Sequence, residues 1–583
     1  MSNEQKIAER LKNNIRLSSD NVSMVDCFWL CANKQYIKDL ETFDHQVIWG
    51  RRGTGKTTIL KAFVYNINEL KCNPEKVALY IMMAKIIPTK EELDVLKSDK
   101  NGLSVYIFSW LILEMCDQLE KIYDQRKSVL EEKQENDFLE AYDALVDCIT
   151  LYQAHIRGGE LTIDNGVVQE TQNEKNKNIG GGFSPIFKFL NGSFEFLKKN
   201  KKIITESKKY AISGKVGFSL ETLKIGKLLG KMLFSLGIEK TYICLDEYSE
   251  IDKLCEFSIQ SSVAQLIKQV FFKNDSFSVK IASIWNKSKL HSRGGNRIEG
   301  IEYKQDIFPG PDLDIMFLDD NTTIITYFKE LLVNTYFMDE SCDDRTREAM
   351  SECITNQIMG KSGLRHLICG SQGISRDFVI LIKEYLQEYL KNPKEPVKLG
   401  TVYNIIKNQY LEDVRNKIPY YTIYRVINMF VGEKLSRYFL IKRADYHRCE
   451  SIIKYLSTRG VFMQLPGHHT NRKIRDDYKL FIINYGNYLD ALENSVSYRK
   501  GRKTLEEDAE LRENGLLLPD LASSIIDNPS DYVIELPSDA ENEVYCLECK
   551  EFFHIQKNSE KLICPKCSKE ITRFSEFVDE VSI

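Results

Sequence analysis

The sequence predicts an α/β protein: a parallel-sheet core carrying a long helical insertion, then a helical segment, a helix–strand domain and a small cysteine-rich module. Three observations predict it. Residues 46–49 read as a strand that enters a glycine-rich turn and then an amphipathic helix over 57–66. Residues 241–247 are a short apolar run ending in two carboxylates, as a buried parallel strand delivering acids to its carboxyl edge would be. Near the C-terminal end, two Cys-x2-Cys pairs are separated by fourteen residues. With 583 residues the chain is long enough for three or four domains, because single cores rarely grow past ~250 residues.

The glycine-rich turn has the pattern G-x4-G-K-[ST] of a phosphate-binding P-loop, in the strand-to-helix setting that the pattern requires. Gly50, Gly53 and Gly55 let the backbone close round a polyphosphate, and Gly50, Arg51, Arg52, Gly53, Thr54, Gly55, Lys56, Thr57 and Thr58 together form the expected nucleotide contact. Lys56 brings a point charge to the β/γ-phosphates and Thr57 a hydroxyl to Mg²⁺, while the following helix offers its N-terminal amides. An acid pair after a strand is by itself more often a solvated strand end. Beside a P-loop, Asp246 is expected to hold the Mg²⁺ shell and Glu247 to orient and deprotonate the attacking water. ATP and Mg²⁺ are therefore the expected cofactors.

Taken in order, residues 1–44 read as a helical lead-in, and 45–320 as the P-loop core. Val77–Met83 reads as a second buried strand and Val105–Tyr152 as long helices. Gly158–Ser184 reads as a polar loop. Lys56 and Asp246 are far apart, so an insertion at about 100–235, largely helical, separates the second and third core strands. From Lys198 to Lys231 ten lysines face two glutamates, Glu206 and Glu221, a local charge of 10 − 2 = +8 in a chain of net −4. That stretch is either a solvated helix face or a surface for phosphate backbones. A helix over Ser261–Phe272 leads to a strand over Val279–Trp285, which ends at Asn286; loop residues Arg293 and Arg297 follow, as surface arginines or as an arginine finger acting on a neighbour's nucleotide. Helices over Thr323–Phe337 and Asp344–Met359 precede Gly370–Ile382, a turn and a helix start with Arg376 in its first turn.

This order of pieces resembles the AAA+ family of origin-recognition-complex and archaeal-initiator ATPases, and in particular bacterial initiator-like ATPases, over roughly residues 40–485. The resemblance implies that Asn286 is the sensor 1 polar residue and Arg376 the sensor 2 arginine of a helical lid over 321–397. It also implies a winged-helix domain after the lid, for which 398–492 is suited: helices over Val402–Asn416 and Ile423–Leu435, a strand at Tyr438–Ile441, a helix over Tyr446–Thr458, and a hairpin of Val461–Leu465 and Lys479–Ile483. The hairpin tip carries His468, His469, Arg472, Lys473 and Arg475, a cationic wing for duplex DNA backbones or, alternatively, a protein contact.

Residues 493–540 are acidic and read as a linker. In 541–583, Cys546, Cys549, Cys564 and Cys567 form two knuckles whose four thiolates would close a tetrahedral, structural Zn²⁺ site, a zinc ribbon. The other eleven cysteines are scattered, as in a reducing compartment, with Cys27 and Cys31 as packing residues. The polar start of the chain has no signal-peptide core, and the longest apolar run, Val105–Cys116, is too short to span a bilayer, so a cytoplasmic protein with no membrane contact is expected. The expected function is an ATP-binding and hydrolysing AAA+ or STAND-like switch coupled to duplex DNA or to a partner effector protein. A homo-oligomer is expected, and by resemblance the bacterial relatives fit antiviral defence or a mobile element. The competing expectation is an adaptor that holds nucleotide without turning it over.

Overall fold

A computed structural model describes residues 2–15, 22–86, 100–157, 160–164, 167–171, 192–193, 195–197, 199, 208–210, 222–252, 259–284, 287–294, 297–314, 321–338, 342–414, 422–450, 453, 456–457, 459–464, 477–495, 505, 529–536, 543–545, 552–554 and 568. The chain divides into two compact units: 23–50 with 56–312, and 1–22 with 51–55 and 313–583.

The first of these is built on strands β1 (Gln46–Trp49), β2 (Lys76–Met82), β6 (Lys240–Asp246), β7 (Phe277–Ser283) and β10 (Phe308–Asp312), in the order β10-β1-β7-β6-β2. Every pairing is parallel. β1 and β7 are buried along their whole length, and β6 at every residue but Lys240. That is why these strands read as continuous apolar runs rather than alternating ones. β7 carries one exception. Lys280 is fully buried yet donates to the carbonyls of Thr42 at 2.7 Å and Asp44 at 2.8 Å and to the Gln46 side chain, pinning the chain as it enters β1. Burial pushes its ammonium down to about 7. The edge strand β10 contains Pro309, Gly310 and Pro311; a strand missing two N–H donors is tolerated at a sheet edge, and its composition hides it from a periodicity reading.

Between β2 and β6 run two long helices, Lys100–Arg126 and Glu132–Arg157. They join through a stack of Tyr123 on Phe138 at 4.7 Å, with Tyr142 donating to Glu120. The stretch read as a polar loop contains β3 (Glu160–Asp164) and β4 (Val167–Thr171), antiparallel to each other, with β5 (Lys208–Tyr210) on the other side of β3. Asn165-Gly166, between alternating apolar residues, was a hairpin signal in the sequence. β8 (His291–Gly294) and β9 (Arg297–Gly300) form a second hairpin, so the backbones of Arg293 and Arg297 lie on strands rather than in a loop.

The other unit is mainly helical. Its N-terminal helix, Asn3–Asn14, starts with a reciprocal cap between Ser2 and Gln5 and buries Ile7, Ala8 and Leu11, a stripe at helical spacing. It packs on the Asn321–Phe337 helix, where Asn14 and Arg10 donate to the Tyr336 carbonyl at 3.2 and 3.1 Å. The lead-in over 1–44 is thus divided: 3–14 joins the helices after 321, whereas Met24–Leu30 and Lys34–Asp39 belong with the sheet. Helices Lys361–Gly370, Ser375–Lys391, Leu399–Asp413 and Thr422–Lys434 lead to an antiparallel sheet of β11 (Tyr438–Lys442), β12 (Phe462–Gln464) and β13 (Tyr478–Ile483), in the order β11-β13-β12. Phe439 stacks on Phe481 at 5.2 Å across it. Part of the stretch read as a linker is docked on this sheet. Ile534 donates to the Leu440 carbonyl at 2.8 Å, and Ile534 and Leu536 are buried, so 532–536 covers the open edge of β11. β14 (Glu543–Tyr545) and β15 (Phe552–His554) pair antiparallel, with Cys546 and Cys549 in the sequence between them. Among the described residues no helix is long and apolar enough to cross a membrane.

Candidate functional site

The P-loop lies in the chain between β1 and the Lys56–Tyr65 helix. Gly53 and Gly55 have φ of +89° and +95°, the left-handed conformation that turns successive amides toward one side. Lys56 Nζ donates to the Gly50 carbonyl at 2.7 Å, so the ammonium reaches back to the end of β1. Thr54 is buried and its hydroxyl donates to the Arg51 carbonyl at 2.9 Å, closing the turn; Arg52 is exposed, and Thr57 and Thr58 are half-buried at the helix start.

The Arg51 side chain has partners of its own. Its guanidinium donates to Asp314 Oδ1 and to the Gln372 carbonyl, each at 2.8 Å, and to Gln372 Oε1 at 3.3 Å. The same turn carries the helix start with Arg376, whose amide donates to the Gly53 carbonyl at 3.1 Å. A Cβ on Gly53 would stand 2.9 Å from Ile374 Cγ2 and 3.0 Å from Arg376 Cβ, so Gly53 is required both by its φ and by this close approach. The Tyr327 hydroxyl, 3.0 Å from Ser375 Oγ, lies 3.9 Å from where a Gly55 Cβ would be. Arg376 is therefore brought to the P-loop backbone.

Asp246 is the last residue of β6 and is buried. One carboxylate oxygen accepts from the Tyr80 hydroxyl at 2.7 Å and the other from the Glu247 amide at 2.9 Å, which fixes the carboxylate's orientation. Glu247 has φ +55° and ψ +37°, left-handed without being glycine. Such a residue costs about 1–3 kcal/mol and persists only where its surroundings hold it, and these positions cluster at functional sites. Val47 and Leu245 both pair with Ile281, so Asp246 and the end of β1 are level at the carboxyl edge, two strand spacings or about 10 Å apart. That edge is where open α/β sheets bind ligands.

Cys27 and Cys31 are buried, and burial pushes their thiols up to about 12 and about 11, which keeps them protonated and suits packing. Asn286, the cationic hairpin tip and the cysteines Cys546, Cys549, Cys564 and Cys567 lie outside the described residues, as does most of the lysine-rich stretch. Among the described residues no three metal-ligating side chains stand together. Tyr80, Gln372 and Asp314 were missed in the sequence; a tyrosine inside an apolar strand and a polar turn carry no signal until β2 is paired with β6.

No family model and no curated protein matches the sequence. Among solved structures, the chain is similar to the Walker-type ATPase paby2304 of Pyrococcus abyssi, at 11% identity and a TM-score of 0.28, over 79% of this chain and 95% of that one. The chain's own features define its class: a mixed α/β protein whose five-stranded parallel sheet carries a glycine P-loop, consistent with a P-loop nucleoside-triphosphatase core.

Proposed function

We propose that this chain binds ATP with Mg²⁺ and hydrolyses it slowly, as an AAA+ or STAND-like switch coupled to duplex DNA or a partner effector protein. The observation that carries the reading is the left-handed Glu247 following a buried, doubly hydrogen-bonded Asp246 at the sheet edge that also bears the P-loop strand. The Thr57 hydroxyl and Asp246 carboxylate are hard oxygen donors and suit Mg²⁺, which when bound would neutralise β/γ-phosphate charge. Lys56 would hold the phosphates, Glu247 would take a proton from the attacking water, and Asn286 would sense the γ-phosphate. Arg376, beside Gly53, would report phosphate occupancy to the helix it begins. Arg293 or Arg297 would serve as an arginine finger in a homo-oligomer. An antiviral or mobile-element setting is the physiological context we propose.

Phosphate release from purified protein tests the activity: turnover stimulated by duplex DNA is expected, whereas ATP that copurifies and persists without turnover would favour the adaptor. The fold order helix, strand, helix, hairpin in 422–483 suits a winged helix. If its tip holds DNA backbones, neutralising Arg472, Lys473 and Arg475 weakens binding to all sequences alike and shrinks the slope of log K against log salt by about 0.9 for each phosphate the variant no longer neutralises. Unchanged affinity and slope would remove the wing as a DNA element and leave the Lys198–Lys231 stretch to account for any binding.

We also propose a Zn²⁺ ribbon held by Cys546, Cys549, Cys564 and Cys567, with β14 and β15 flanking the first pair. One zinc per chain is expected by elemental analysis, lost in a Cys546/Cys564 double serine variant with unfolding confined to residues after about 540. Zinc retained by that variant would overturn the site.

A further inference from the structure

Gln260, the first residue of the Gln260–Phe271 helix, is 1% exposed, and every polar atom it has is used. Its side-chain amide donates to the Ser249 carbonyl at 3.3 Å and to the Lys287 carbonyl at 3.1 Å, and its Oε1 accepts from the Lys289 amide at 2.6 Å. Its own carbonyl accepts from the Tyr248 hydroxyl at 2.5 Å, and its amide donates to Asp252 Oδ1 at 3.1 Å. Ser249 follows β6 and the acid pair; Lys287 and Lys289 follow β7, the neighbouring strand. One buried side chain thus staples the exits of two adjacent strands at the edge that carries Asp246 and Glu247.

Glu247 needs such a brace. Its left-handed backbone is followed by a single turn in which the Glu250 amide donates to the Glu247 carbonyl at 3.0 Å, and the next residue, Tyr248, is fully buried with its hydroxyl on Gln260. A leucine of similar size at 260 would fill the volume while leaving the Ser249 and Lys287 carbonyls and the Lys289 amide without that partner, so the turn would relax toward ordinary backbone angles. None of these atoms belongs to the P-loop, so nucleotide affinity should not follow.

We infer that Gln260 is a positioning residue for hydrolysis: it fixes the turn that aims Glu247 and sets the chain after β7 in register with it. This inference rests on the proposed ATPase activity. Its test compares wild type, Gln260→Leu and Gln260→Glu, which keeps the acceptor for Lys289, by ATP turnover, equilibrium ATP binding and amide hydrogen exchange. Gln260→Leu should lower turnover about 30-fold while the ATP dissociation constant stays within about threefold, with Gln260→Glu in between. Exchange at the Glu250 and Lys289 amides should quicken in Gln260→Leu while that of β1 does not. Turnover per folded molecule equal to wild type, or binding lost in step with turnover, would overturn the inference; if Gln260→Leu does not fold, Gln260→Glu decides by the same split. A wild-type protein that binds ATP without cleaving it would instead defeat the proposed activity, and exchange unchanged at Glu250 and Lys289 would then defeat the brace as well.

Discussion

Lys56→Ala is expected to abolish ATP binding. The ammonium sits 2.7 Å from the Gly50 carbonyl, at the start of the loop that carries the left-handed Gly53 and Gly55. A phosphate entering there would exchange that neutral acceptor for an anionic oxygen, so that both partners of the bond carry charge. Losing it, together with the charge that offsets the polyphosphate, should weaken ATP binding by on the order of 10²–10³-fold. Filter binding with labelled ATP checks this. Affinity within about threefold of wild type would mean that the loop amides alone hold the nucleotide, and Lys56 would lose its assigned part.

Glu247→Gln should do the opposite: hold ATP at wild-type affinity and lose hydrolysis by about 10²–10⁴-fold, the range that general-base catalysis contributes. The substitution keeps shape and hydrogen-bonding reach but removes the proton acceptor. It also leaves the backbone amide of residue 247 on Asp246, so that carboxylate stays oriented. Phosphate release measured in parallel with filter binding separates the two variants, since Lys56→Ala fails at binding and Glu247→Gln at cleavage. Equal hydrolysis by Glu247→Gln and wild type would take Glu247 out of the mechanism and shift attention to a water positioned by other groups.

The parts of the site that were legible in the sequence are local. A P-loop must be contiguous, because its amides and its lysine act within one turn of chain, so Gly50 to Thr58 announce themselves. The acid pair was legible because a strand buried on both faces is written as an unbroken apolar run, and Asp246 and Glu247 end it abruptly. β10 escaped because Pro309 and Pro311 contradict strand propensity, which an edge position tolerates. The β3–β4 hairpin was passed over inside a polar, glycine-rich region although Asn165-Gly166 marked it.

What the sequence by itself determined is the chemistry on offer: a phosphate loop, two acids after a buried strand, and an arginine in the first turn of a helix. What only the tertiary structure decided is which groups meet. Arg51 stands in the loop pattern, and only the fold shows that its guanidinium meets Asp314 and Gln372, over two hundred and fifty residues later. Tyr80 and Gln260 carry no motif, yet one orients Asp246 and the other ties down the turn after Glu247, because strand order places β2 and β7 on either side of β6. Hydrogen bonds between side chains distant in sequence depend on register and crossover connections, and these are set by the burial of whole strands and helices rather than by the residues that the bonds join.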